Sequence, residues 1–100
     1  MRIEKIKSYL GFAIRSGKVL FGSDKLFESK KLPKFVMICS TQNEKVTGKV
    51  LRFCKSNNIC AIKLDELVLS ELIVRDNCKV ISILDTSLAD VLIKEFEMGK

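Results

Sequence analysis

The stretch from Lys34 to Asn58, continued to Leu64, limits most sharply what this chain can fold into. Pro33 is a turn signal. Behind it Phe35, Val36, Met37, Ile38 and Cys39 form an apolar run, short and rich in aromatic and branched side chains, which predicts a buried strand. Ser40, Thr41, Gln42 and Asn43 break the run. From Glu44 the period becomes helical: Val46, Val50, Phe53 and Cys54 lie three or four apart, with Leu51 at the edge, while Lys45, Lys49, Arg52 and Lys55 take the other faces. Asn57 and Asn58 stop that helix, and Ile59, Cys60, Ala61, Ile62 and Leu64 predict a second strand. Strand, helix, strand over about thirty residues is a crossover, which joins parallel strands. The expectation is that this pair is central in its sheet.

The remaining elements pack on that unit. Ile3, Ile6, Tyr9, Leu10, Ala13 and Ile14 repeat at helical spacing and predict a helix over Arg2 to Arg15, ended by Ser16-Gly17, with Gly17 at the left-handed cap. Gly11 sits inside this helix, where a close contact with a sheet would explain it. Lys18 to Phe21 reads as a short extended piece at a sheet edge. Gly22, Ser23 and Asp24 open a second helix that carries Leu26 and Phe27 and ends near Lys31-Leu32, with Ser23 as the N-cap. Asp65 caps a short helix with Leu69, Leu72 and Ile73 on one side. Arg75, Asp76 and Asn77 form a polar turn, and Lys79 to Leu84 predicts another strand. Asp85-Thr86 starts a last helix with Leu88, Val91, Leu92 and Phe96 on its apolar face, and Met98 to Lys100 reads as a fraying tail. Alternation of this kind predicts an α/β fold: a three-layer α/β/α sandwich around a mixed, roughly four-stranded sheet.

One hundred residues make one domain. No apolar run approaches the roughly 20 residues of a membrane span, and the charged start is unlike a signal peptide, so a cytoplasmic protein is expected. Cys39, Cys54, Cys60 and Cys78 show no Cys-x-x-Cys pair and have no histidine to complete a zinc set, so core thiols are expected and no metal. Charge is divided along the chain. Met1 to Lys55 holds thirteen Lys or Arg against four Asp or Glu, a net of +9, whereas Ser56 to Lys100 has a net of −3. A lysine-rich half points to a polyanion partner.

Catalytic patterns are missing. Without histidine there is no histidine-based acid–base chemistry. Gly17 and Gly22 match neither the phosphate-loop nor the dinucleotide pattern. Asp65 and Glu66 are adjacent on a helix and do not face each other. Neither an enzyme nor a small-molecule cofactor is expected. Gly22 to Lys25 combines a glycine, a helix start and a lysine, an arrangement suited to an anion or to capping alone.

Three local patterns then carry a resemblance. Tyr9-Leu10-Gly11-Phe12-Ala13-Ile14-Arg15-Ser16-Gly17-Lys18-Val19, Gly22 before the second helix, and the strand Phe35 to Cys39 ahead of a polar turn are similar to the ribosomal L-seven-Ae / L-thirty-e family, over about Ile3 to Phe96. The chain most resembles its short bacterial ribosomal-protein-like members. The resemblance implies a sandwich domain that recognises kink-turn RNA at the start of its second helix. The family pattern there is glycine, a variable residue, asparagine, glutamate and, three further on, lysine. These positions hold Gly22, Ser23, Asp24, Lys25 and Glu28 here, so the glycine alone is retained. A second family contact, an apolar loop, falls on Ile73, Val74 and Arg75, with Leu67 matching and Val68 replacing a glycine.

The expected site is therefore RNA-binding: Gly22, Ser23, Asp24 and Lys25, flanked by Arg15 and Lys18 and completed by Ile73, Val74 and Arg75. The expected partner is structured, ribosomal-type RNA held by shape and backbone contacts, with room for a protein partner in a ribonucleoprotein and no membrane role. A protein-interaction or structural module that has lost kink-turn specificity is the alternative on the same scaffold.

Overall fold

In this computed structural model the described residues are 3–73 and 78–98. They form α1 (Ile3–Arg15), β1 (Val19–Phe21), α2 (Ser23–Glu28), β2 (Phe35–Cys39), α3 (Glu44–Ser56), β3 (Cys60–Leu64), α4 (Glu66–Leu72), β4 (Val80–Ile83) and α5 (Thr86–Met98). The four strands make one mixed sheet in the order β1-β4-β2-β3. β2 and β3 run parallel, Phe35 opposite Cys60 and Cys39 opposite Leu64. β4 lies antiparallel between β1 and β2. β2 and β4 are accordingly buried along their whole length.

The expected α/β/α sandwich is present. Alternate strand residues feed two cores. Phe35, Met37, Ile81 and Ile83 join Ile6, Leu10, Leu69, Leu72 and Leu92 under α1, α4 and α5. Val36, Ile38 and Val80 join Leu26, Val50 and Cys54 under α2 and α3. The period-2 alternation of the strands thus gives each helical layer its own floor.

Several local expectations need correction. The crossover pair is not central as a pair: β2 is interior, but β3 is an edge, because β4 occupies the other side of β2. Cys60, expected in the core, is exposed at the first position of that edge, and Cys78 is half-buried; Cys39 and Cys54 are buried. α2 ends at Glu28 rather than near Leu32. Ser29 turns extended (φ −67°, ψ 131°), and its hydroxyl donates to the Lys31 carbonyl at 2.6 Å, which closes a local turn ahead of Pro33. The N-cap of α2 is Gly22, not Ser23. Gly11 makes no close contact with the sheet; a Cβ there would meet only the Arg15 Nη1, at 3.3 Å. α5 continues as helix through Met98.

The caps follow the sequence more closely. Asp65 Oδ1 accepts from Leu67 N at 2.9 Å, and Asp85 Oδ1 from Leu88 N at 2.9 Å. Gly17, at φ 72°, ends α1 with Lys18 N donating to Ala13 O and Gly17 N to Ile14 O, the paired bonds of a Schellman cap. No helix among the described residues is long and apolar enough to cross a membrane.

Candidate nucleic-acid interface

Gly22 fixes the geometry of one end of the sheet. Its φ of 94° and ψ of 155° suit glycine, and its N–H donates to Val80 O at 2.8 Å, tying the exit of β1 to the start of β4. α2 begins at the next residue. With no side chain on Gly22, the first turn of this helix has no side-chain acceptor at its cap. A Cβ on Gly22 would meet nothing within 4 Å, so the space beside it is open.

Across from Gly22 stands the turn that follows β2. Gln42 N donates to Cys39 O at 3.0 Å, and Asn43 caps α3 by accepting from Lys45 N at 2.7 Å. The Cys39 thiol and the Thr41 hydroxyl sit 3.1 Å apart. Lys79, just ahead of β4, reaches over this turn and donates from Nζ to Thr41 O at 3.3 Å. Between these walls lies an open cleft of about 410 Å³, lined by Phe21, Gly22, Ser23, Asp24, Lys25, Gln42, Lys79 and Val80. Its charged groups are two lysines and one carboxylate, so it carries a net positive charge.

The cleft gathers Gly22, Ser23, Asp24 and Lys25, the four contiguous residues singled out from sequence. It does not gather Arg15 and Lys18. Lys18 O accepts from Leu84 N, and Lys34 N donates to Ile83 O, both at 2.8 Å, which places Lys18 and Lys34 together at the opposite end of β1 and β4. Four residues of extended chain put Lys18 about 13 Å from Gly22. Lysines that cluster in sequence are therefore divided between two ends of the sheet. Ile73 is buried with Leu69 and Leu72 in the core, so its side chain is no surface contact. Val74 and Arg75 lie outside the described residues.

No family model matches the chain, and no curated protein does. Among solved structures the chain is similar to one from Bacillus halodurans C, described as a protein with unknown function. The TM-score is 0.82, with 22% identity over 93% of this chain and 97% of that one. That likeness shows the fold. Nearly the whole length of both chains takes part, so the element order around the cleft belongs to the shared architecture.

Sequence reasoning missed four lining residues, the apolar Phe21 and Val80 and the polar Gln42 and Lys79. Gln42 had a usable signal: it follows the carboxyl end of a parallel strand, where open α/β sheets place ligands. Lys79 had none, because its place beside Gly22 depends on β4 inserting between β1 and β2.

The sheet also sorts charge. α3 exposes Lys45, Lys49, Arg52 and Lys55, with Glu44 its one acid, and the turn after α2 adds Lys30 and Lys31. On the other side, α4 and α5 with their caps carry Asp65, Glu66, Glu71, Asp85, Asp90, Glu95 and Glu97 against Lys94 alone. α1 shares that layer and adds Lys5, Lys7 and Arg15 against Glu4. The layer stays net acidic while the α2–α3 layer is basic, but the division along the chain does not map onto the layers one to one.

Proposed function

We propose that the protein binds structured RNA, of the ribosomal kind, at the cleft beside Gly22, by shape and phosphate-backbone contacts and without catalysis. The observation that carries this reading is the convergence of Gly22 to Lys25 with Lys79 at one end of the sheet, next to the basic helical layer. Lysine ammonium groups bind phosphates as point charges. Phosphate contacts fix the register of a nucleic acid on its protein more than they read bases. The resemblance to the ribosomal L-seven-Ae / L-thirty-e family, whose glycine is kept at Gly22, supports RNA over other polyanions and a kinked helix over a plain duplex. A cytoplasmic setting goes with that reading.

A filter-binding panel of ribosomal and kink-turn RNAs against duplex controls tests it. Affinity falls steeply with salt, and the pair K25E and K79Q weakens binding and lowers the salt slope by about 0.7–0.9 for each phosphate contact removed. The thermal melt of that variant stays close to wild type. A wild-type protein that binds no RNA even at low salt overturns the reading and makes a protein-interaction module the better one.

A further inference from the structure

The outward face of α3 is a strongly basic surface that the cleft does not use. Lys45, Lys49, Arg52 and Lys55 are all exposed. They stand four, three and three residues apart, which places them along one broad stripe of the helix. At 1.5 Å per residue the stripe runs about 15 Å. Gly48 lies in its middle. A Cβ on Gly48 would come within 3.3 Å of Arg52 Nη1, so the guanidinium is laid back over bare helix backbone between the lysines. The inner face of α3 is spent on the core through Val50 and Cys54, so these four cations have no part in packing.

The stripe begins where the cleft ends. Gln42 lines the cleft, Asn43 caps α3, and Lys45 is the first cation of the stripe. From there α3 leads away from the cleft along the outside of the sandwich.

We propose that α3 is a second RNA contact, a phosphate track that holds the helical arm of an RNA whose distorted part sits in the cleft. The choice of occupant rests on charge complementarity: four cations in line, one of them a guanidinium that can hold a phosphate through two parallel bonds. The inference builds on the RNA reading of the cleft, and it adds that affinity depends on RNA length beyond the cleft.

The test uses three probes, a kink-turn hairpin with short arms and two versions of it, each with a different arm lengthened by a helical turn. The variant K45E/K49E/R52E is compared with K5E/K7E/K94E, which makes the same charge change with exposed lysines of the opposite layer. The α3 variant loses about tenfold or more in affinity for a lengthened hairpin and about 0.9 in salt slope per contact removed, and it changes little on the short one. The glutamine variant K45Q/K49Q/R52Q, with melts of all three proteins, guards against loss of fold and shows the same length dependence. If the α3 and control variants weaken the lengthened hairpins equally, the track is wrong, and the cleft reading stands or falls separately on K25E/K79Q. If K25E/K79Q binds all three hairpins like wild type while the α3 variant fails on a lengthened one, the track survives and the cleft reading falls.

Discussion

Phe27 of α2 and Phe53 of α3 meet edge to face, their ring centroids 5.5 Å apart and their planes inclined at 68°. α2 is six residues long, too short to persist without tertiary support. It is held by Leu26, fully buried among Val36, Val50 and Val80, and by this aromatic pair. The pair therefore couples the helix that starts at the cleft to the helix that carries the basic stripe. A double-mutant cycle with F27A and F53A is expected to give a coupling of about 0.5–1.5 kcal/mol beyond buried area. F53A alone costs about 3 kcal/mol, the low end for Phe→Ala, because its ring is half-buried. Urea melts of the four proteins measure both, and a coupling near zero would mean that α2 is held by Leu26 alone.

Cys54 gives a pH dependence with a definite sign. Burial raises its pKa from 9.0 to about 11, and the neighbouring Cys60 adds to the rise. The folded state keeps this proton while the unfolded chain releases it above pH 9, so the unfolded state binds fewer protons in that window. Stability contributed by the neutral thiol is complete below pH 9 and is lost between pH 9 and 11, by at most about 1.4 kcal/mol per pH unit. Melts of wild type and C54A across this range isolate the effect: the advantage of wild type shrinks as pH rises. A constant difference between the two proteins would refute the shift.

Ser82 is fully buried on β4, opposite Leu20 and Val36, and its hydroxyl has no hydrogen-bond partner among the described residues. A buried donor left unsatisfied costs about 1–3 kcal/mol. S82A removes the hydroxyl and nothing that packs, so it is expected to raise stability by about 1 kcal/mol, read as a higher urea midpoint at unchanged m-value. A lower midpoint would show that the hydroxyl is satisfied in solution.

What the sequence made legible was local. The caps at Asp65 and Asp85, the left-handed stop at Gly17 and the fully buried run Phe35 to Cys39 each depend on a few neighbouring residues, and each is found where periodicity and turn chemistry put it. Sheet order is not local. β3 is an edge because a strand twenty residues later pairs with β2, and the hint was only that Lys63 breaks its apolar pattern. The site divides in the same way. Gly22 to Lys25 is one contiguous segment and so stays together, whereas Arg15 and Lys18 are separated from it by the length of β1. Gln42 and Lys79 arrive from elsewhere in the chain.

Asp24 is the residue of the cleft whose replacement says most about what binds there. It is exposed in the first turn of α2 and lines the cleft with Lys25. Its carboxylate favours the helix start by about 0.3–1 kcal/mol, but it repels a phosphate and has no hydrogen to donate. D24A removes the charge alone, and D24N removes the charge and supplies an amide donor. If Asp24 acts only through charge, both changes raise affinity for kink-turn and duplex RNA alike. If the cleft retains the shape of a kink-turn seat, D24N raises affinity for the kink-turn RNA beyond D24A while the two stay equal on the duplex. Direct titration of both RNAs at one fixed salt concentration separates the cases, since nucleic-acid affinities measured at different salt cannot be compared. Equal behaviour of D24N and D24A on both RNAs would leave a general phosphate cleft and remove the kink-turn specificity from the reading.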